Sequence, residues 1–286
     1  MGYIYNMKTV RAAMIGDVVG EIGLEALEAK LPAIIKEHRV DFAVVNGENV
    51  ADGFGMTETA FRRILAAGAD VVTSGNHVWE KRDFLLVLDN EERVLRPANY
   101  PADSPGLGCA RIVKNGIIWI TINLQGREFM SAIDCPFRCF DSLLNSMTGT
   151  ASETHSLMTD SAISFPLILV DFHAESTREK EALGHYLDGR ASLIVGTHTH
   201  VQTADQRILP KGAAYITDLG MTGITDSVIG MDPKICLDRV RKQVLYRMEI
   251  AGKSGAENSG TETADVQGVI AEIDADTGKA ISIKRI

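Results

Sequence analysis

The sequence predicts an α/β protein built mainly on parallel strands. Short apolar runs alternate with segments of helical spacing from residue 9 onward. Most of those runs stop at a loop carrying a carboxylate, an amide or an imidazole, which is where open α/β sheets gather their chemistry. A length of 286 residues allows one substantial core, and 45% hydrophobic with 23% charged residues is an ordinary globular balance that argues against disorder. A single domain over 1–286 is therefore expected.

Residues 9–15 form the first apolar run, ending in Gly16-Asp17-Val18-Val19-Gly20. Leu24, Leu27, Leu31, Ile34 and Ile35 then fall at helical spacing, with Pro32 expected to kink or restart the helix. Residues 41–46 read as a second strand closing on Gly47-Glu48-Asn49. After a glycine-rich loop at 52–55, Thr57 suits a helix N-cap and Gly68 the far end. Residues 70–74 give a third strand, ending in Gly75-Asn76-His77, and 79–88 read as a helix.

The pattern then changes. A proline-punctuated segment, Arg96-Pro97-Ala98-Asn99-Tyr100-Pro101, precedes a β-hairpin over 110–124 with an Asn115-Gly116 turn. The Ser- and Thr-rich stretch 147–164, within a longer segment at 139–164, reads as a surface insertion, and His155 inside it as solvated. A strand over 165–170 leads into Asp171-Phe172-His173-Ala174-Glu175. The helix after it opens with the capping-box pair Ser176 and Glu179 and closes at Gly189. The run 192–195 ends in Gly196-Thr197-His198-Thr199-His200, with Gly196 expected to turn the backbone tightly. A strand at 213–217 precedes the loop 218–223, flexible enough to sit over a site. Residues 243–250 are strand-like, 253–264 loop-like, and 265–286 form a terminal strand pair.

Composition excludes several classes of function. A net charge of −9 disfavours binding of long nucleic acid, while a small anion remains acceptable if bound cations reverse the local sign. No run approaches the roughly 18 apolar residues of a membrane span. The first residues lack the pattern of a signal peptide, and the four cysteines lack CxxC spacing, so a reducing, cytoplasmic setting is expected.

Set side by side, the strand ends offer Asp17, Glu48, Asn49, Asn76, His77, His173, His198 and His200. Carboxylates, amide oxygens and imidazoles in these numbers suit two divalent ions, and paired ions suit in-line displacement at phosphorus. Asn123, Gln125, Arg127, Glu175 and Asp218 read equally as substrate contacts or as solvated loop residues.

In order, Gly16-Asp17-Val18-Val19-Gly20, Asn46-Gly47-Glu48-Asn49, Ser74-Gly75-Asn76-His77, Val170-Asp171-Phe172-His173 and Gly196-Thr197-His198-Thr199-His200 resemble the signatures of the bacterial YmdB-like metallophosphoesterases. The resemblance spans a core of about 7–250. It implies a four-layer α/β/β/α sandwich with mixed sheets and a centre of two metal ions, iron or manganese, with magnesium or zinc as substitutes. Asp17, Asn49 and His200 would hold one ion, Asn76, His173 and His198 the other, with Glu48 bridging and His77 as proton donor. Val19 departs from the Asp-x-His of the wider superfamily but agrees with this branch. The activity implied is hydrolysis of a small phosphate ester, a 2′,3′-cyclic nucleotide converted to a 3′-monophosphate through metal-activated water, in a homo-oligomer. Readings left open are other cyclic nucleotides, phosphomonoesters, a mononuclear zinc hydrolase, and a metal-stabilised regulatory protein with incidental hydrolysis.

Overall fold

The structure, a computed structural model, describes residues 8–148, 166–252 and 264–286. In chain order its elements are β1 (Thr9–Ile15), β2 (Asp17–Val18), α1 (Gly20–His38), β3 (Phe42–Asn46), α2 (Glu58–Ala66), β4 (Val71–Thr73), α3 (Leu85–Asn90), β5 (Cys109–Lys114), β6 (Ile117–Gln125) and α4 (Pro136–Thr148). There follow β7 (Leu167–His173), α5 (Thr177–Leu187), β8 (Leu193–Thr197), β9 (Arg207–Ile208), β10 (Ala214–Ile216), β11 (Met221–Ile224), α6 (Pro233–Lys242), β12 (Ala264–Val266), β13 (Gly268–Asp274) and β14 (Ala280–Arg285).

Two mixed sheets face each other. One has the order β14-β13-β1-β3-β4 and the other β5-β6-β7-β8-β10-β9. Strands β1, β3 and β4 run parallel, as do β6, β7, β8 and β10, so the carboxyl ends within each set share an edge. Alternation along each strand sends one set of side chains between the sheets, including Met14, Val44, Leu169 and Val195. Across that interface Phe42 stacks on Trp119 with ring centres 4.8 Å apart. The opposite faces bury Ala13 and Val45 against α1 and α2, and Ile122 and Val170 against α4 and α5. This is the expected α/β/β/α sandwich. A third, three-stranded sheet, β12-β11-β2, lies beside it.

A cap and a turn read from local signals hold. Thr57 accepts the amide of Ala60, and the positive φ angles of Asn115 (54°) and Gly116 (75°) make the hairpin turn the sequence calls for. The four cysteines are free thiols.

Several expectations fail for identifiable reasons. α1 runs through Pro32 without a restart, because Pro32 is exposed and water can satisfy the carbonyl groups its ring leaves unpaired. In place of a helix over 79–88 there is a 3-10 turn at Arg82–Phe84 and the short α3, since the amides of Val78 and Glu80 are spent on turn bonds to Gly75 and His77. Residues 218–223 are no flexible lid: Met221–Ile224 is a buried strand, with Met221 opposite Asp17. Residues 243–249 form no strand. Ile250 makes a single bridge to Met231, and the unforeseen helix α6 precedes this stretch. The segment at 139–164 begins inside α4, whose Phe140 is fully buried in the layer beneath the second sheet. The remainder of that segment, His155 included, and most of 253–264 lie outside the described residues.

Phe140 provides a test of α4 as a core layer. Phe140→Ala is expected to destabilise the fold by about 3–5 kcal/mol in chemical denaturation, the usual cost of truncating a buried phenylalanine. A change below about 0.5 kcal/mol, ordinary for surface positions, would mean that α4 is peripheral.

Candidate metal centre

Five strand ends meet along one edge of the sandwich. Asp17 follows β1 with Gly16 between them and opens β2, Glu48 and Asn49 follow β3, Asn76 and His77 follow β4, His173 ends β7, and His198 and His200 follow β8. Three of these strands belong to one sheet and two to the other, so the cluster exists only where the two sheets are packed together.

Two subclusters share Glu48. In the first, Nδ2 of Asn49 lies 2.9 Å from His200 Nε2 and 3.5 Å from Asp17 Oδ1, and His200 Nε2 lies 3.8 Å from the same Asp17 oxygen. In the second, His173 Nε2 lies 3.1 Å from Asn76 Oδ1 and 3.0 Å from His198 Nδ1. Glu48 Oε1 stands 3.0 Å from His173 Nε2 and 3.4 Å from Asn49 Nδ2, facing both groups. Asp17, Glu48, Asn49 and His173 are buried, whereas the side chain of His198 is 22% exposed and opens the cluster to solvent.

The hydrogen bonds around the rings fix which nitrogen faces inward. Thr197 Oγ1 donates to Asp171 Oδ1 (2.7 Å), so it accepts from His173 Nδ1 (2.9 Å), which leaves Nε2 as the nitrogen that faces Glu48 and can exchange a proton for a cation. His200 Nδ1 donates to the carbonyl of Ile229 (2.9 Å), turning its Nε2 towards Asp17 and Asn49. His198 Nε2 faces Glu175 at 3.1 Å, leaving Nδ1 for the cluster. Three imidazoles have the outer nitrogen engaged and the inner one turned into the cluster, His173 facing Glu48, His200 facing Asp17 and His198 facing His173, a donor set that fits divalent cations. The amide of Asn49 joins them after a 180° flip that brings its oxygen inward, an orientation equal in shape.

The electrostatics agree. Burial opposes ionisation of Glu48, but the His173 imidazole beside it prevails and holds the carboxyl down at about 2. Burial likewise opposes protonation of His173, yet Glu48 draws its pKa up to about 9. Burial and the charge on His173 then push His198 down to about 3, and burial raises Asp17 to about 6. The cluster thus attracts one positive charge strongly and rejects a second proton on the adjoining ring. A cation satisfies both carboxylates without protonating any imidazole.

His77 lies at the rim, its side chain 26% exposed. Its backbone amide donates to Glu48 Oε2 (3.4 Å), its buried Nδ1 lies 3.6 Å from Glu80, and its ring meets that of Phe54 edge to face. Gly75 is required because a Cβ there would strike Glu48 and the His173 ring. Gly196 has a related role in place of the expected tight turn: it lies within β8, and a Cβ would run into the Thr217 carbonyl oxygen.

Of the residues left between two readings, Asn123 is buried and accepts the Ser74 amide, Glu175 accepts from His198, and Asp218 pairs with Lys180 at 2.7 Å with both side chains buried. Asp218 also accepts from the amide and hydroxyl of Thr199, restraining the loop in which His198 and His200 adopt positive φ angles of 97° and 64°. Glu179 does not complete the capping box. Ser176 accepts its amide, but the Glu179 carboxylate instead takes the amides of Arg127 and Glu128. Sequence reasoning missed Asp171, Thr197, Thr73 and Asn46 as supports. The available signal was a polar residue two positions before a donor on the same strand face, as Asp171 stands to His173.

Comparison with known proteins places this geometry in context. A family model described as YmdB-like protein matches residues 13–286. The chain is 42% identical over 278 residues to the 2′,3′-cyclic-nucleotide 2′-phosphodiesterase of Bacillus subtilis, covering 97% of this chain and 96% of that one. A crystal structure described as a novel phosphatase from Mycoplasma pneumoniae superimposes with a TM-score of 0.83 at 30% identity, covering 98% of this chain and 93% of that one. A hypothetical protein from Thermus thermophilus does so with a TM-score of 0.80 at 36% identity, covering 97% and 98%. The match takes in every strand end from Asp17 to His200 and continues through β14: the chain belongs to the YmdB-like protein family.

Proposed function

We propose that this phosphoester hydrolase opens 2′,3′-cyclic nucleotides to 3′-monophosphates at a centre of two metal ions, iron or manganese. The observation that carries the reading is the convergence of three imidazole nitrogens on Glu48 and Asp17, those of His173 and His200 directly and that of His198 beside His173, with His77 at the solvent edge. Similarity over nearly the full length to a 2′,3′-cyclic-nucleotide 2′-phosphodiesterase supports the choice of substrate.

Asp17, Asn49 and His200 would hold one ion and Asn76, His173 and His198 the other, with Glu48 facing both. When bound, such a pair supplies Lewis acidity to a phosphate and to an attacking water. Asp17 and Glu48 are the two carboxylates in this set, so two divalent cations leave the cleft net positive and draw an anionic ester into an acidic protein. Asp171 and Thr197 keep the His173 ring oriented, and Ile229 does the same for His200.

His77 carries the proton chemistry. Its Nδ1 is buried towards Glu80, so Nε2 is the nitrogen available to the substrate. That nitrogen gives its proton to the departing ribose oxygen as the bond to phosphorus breaks. No helix among the described residues is long and apolar enough to cross a membrane, and the open side of the cluster suits a small ester.

Two variants test these roles. His77→Ala is expected to keep two equivalents of metal by elemental analysis while kcat on 2′,3′-cyclic AMP falls about 10²- to 10⁴-fold, the usual contribution of a general acid. Wild-type turnover in a fully metallated variant would remove His77 from the mechanism. Thr197→Val is expected to weaken Mn²⁺ binding about 10- to 100-fold in calorimetric titration, whereas Thr197→Ser retains it, because only the hydroxyl links Asp171 to His173. Equal affinities in the two variants would show that the relay does not orient the ring.

A further inference from the structure

A 2′,3′-cyclic phosphate poses a problem of orientation. Its phosphorus is joined to O2′ and O3′ on neighbouring carbons, and turning the ester over exchanges the two. A cluster that grips only phosphorus and its oxygens can therefore break either bond. Two groups separate the ends: the base, on the carbon next to the one that bears O2′, and the 5′-carbon, on the carbon next to the one that bears O3′. The base is the larger and more easily gripped, and holding it close to the group that protonates the leaving oxygen selects O2′.

Resting on the activity proposed above, we infer that Phe54 is the specificity-determining residue, stacking on the nucleobase so that O2′ faces His77. The Phe54 ring centre lies 5.0 Å from that of His77, with the planes at 74°. The loop around it is tightly held. The amide of Gly53 donates to the Asn49 carbonyl, that of Phe54 to Ala51 and that of Ala51 to Gly55, while Asp52, Gly53 and Gly55 all have positive φ. A Cβ on Gly55 would press on Glu80 and on the His77 carbonyl, so the loop is seated directly against the proton donor.

On this anchored loop Val50 and Met56 are buried, yet Phe54 is left 38% exposed. A large aromatic ring kept at the surface by so constrained a backbone adds little to the core and offers a face to a planar ligand. Other aromatic rings near the cluster are less suited. Trp79 and Tyr100 are half-buried and pack edge to face on each other at 5.2 Å.

Stacking of the base on Phe54 sets the regiochemistry. Water oxygen bonds to phosphorus as the P–O2′ bond breaks, the released electron pair takes the proton held at His77 Nε2, and the proton shed by the water passes to solvent, from which His77 is reprotonated. The products are a free 2′-hydroxyl and a 3′-monophosphate. With the base on Phe54, O3′ lies one carbon further from His77 and is not protonated.

The test uses Mn²⁺-loaded enzyme with adenosine 2′,3′-cyclic phosphate and with the base-free methyl riboside 2′,3′-cyclic phosphate, the isomeric products being separated by chromatography. Wild type is expected to give only the 3′-monophosphate from the nucleotide and both isomers from the base-free ester. In Phe54→Ala the ratio of kcat/KM for nucleotide over base-free ester is expected to fall about tenfold or more, the size of one base–aromatic stack. The 2′-monophosphate should then appear among the nucleotide products, and Phe54→Trp should restore both properties. A Phe54→Ala enzyme with an unchanged ratio and only the 3′ product overturns the inference and leaves the activity standing. An equal loss on both esters with unchanged products shows Phe54 to be a mere support for His77, and also overturns it. Failure of the metallated wild type to open either ester would instead strike the proposed activity, and this inference with it.

Discussion

The carboxylate of Asp171 fastens the two sheets together at the edge where the donors assemble. From the first sheet it accepts the Thr73 hydroxyl (2.5 Å) and the Asn46 amide (3.0 Å), and from its own sheet the Thr197 hydroxyl (2.7 Å). Elsewhere the contact between sheets is largely apolar, exemplified by Phe42 on Trp119, and such contact tolerates small slips. A buried carboxylate does not tolerate them, because each lost donor to a charged group costs about 1.5–3 kcal/mol. Burial pushes the Asp171 pKa up, and the Thr73 hydroxyl and the charge on His173 oppose it. The separation between Glu48, carried by one sheet, and His173, carried by the other, follows from that lock.

Backbone strain is concentrated around the same place. Among described non-glycine residues with positive φ, Arg39 and Gln243 close helices and Asn115 turns a hairpin. His198 and His200 belong to the cluster, Ile229 accepts from His200, Asp52 lies in the loop that carries Phe54, and Phe129 alone stands in a surface loop elsewhere. Such conformations cost about 1–3 kcal/mol each and persist only where surrounding contacts over-determine them. The buried Lys180–Asp218 pair, with Asp218 tied to Thr199, is that restraint for the histidine loop.

Much of this was legible in the sequence because strand periodicity and chemistry coincide at strand ends. Glu48 and Asn49, Asn76, His173, and His198 with His200 each follow an apolar run, and the structure brings them within a few ångströms of one another. Caps and turns were equally readable, since Thr57 and Asn115-Gly116 act through local geometry. What was not readable depends on partners distant in the chain. Met221–Ile224 looks like a glycine-bearing loop until β2 and β12 supply its hydrogen bonds, and Asp171 looks like one more strand-end carboxylate until the opposite sheet supplies Thr73 and Asn46. Residues 243–250 alternate like a strand, but the one strand-type bridge they make is that of Ile250 to Met231.

The earliest strand also has the latest partner. β1 pairs with β13 in a register that sets Thr9 opposite Asp274, and the amide of Gly16, next to Asp17, donates to the carbonyl of Gln267. β3 can flank β1 early in synthesis, but the neighbour on its other side, which also holds Gly16, exists only once β13 has been made. Contacts of such long sequence separation form slowly. The edge on which Asp17 stands is thus complete only once a strand near the far end of the chain has paired beside it.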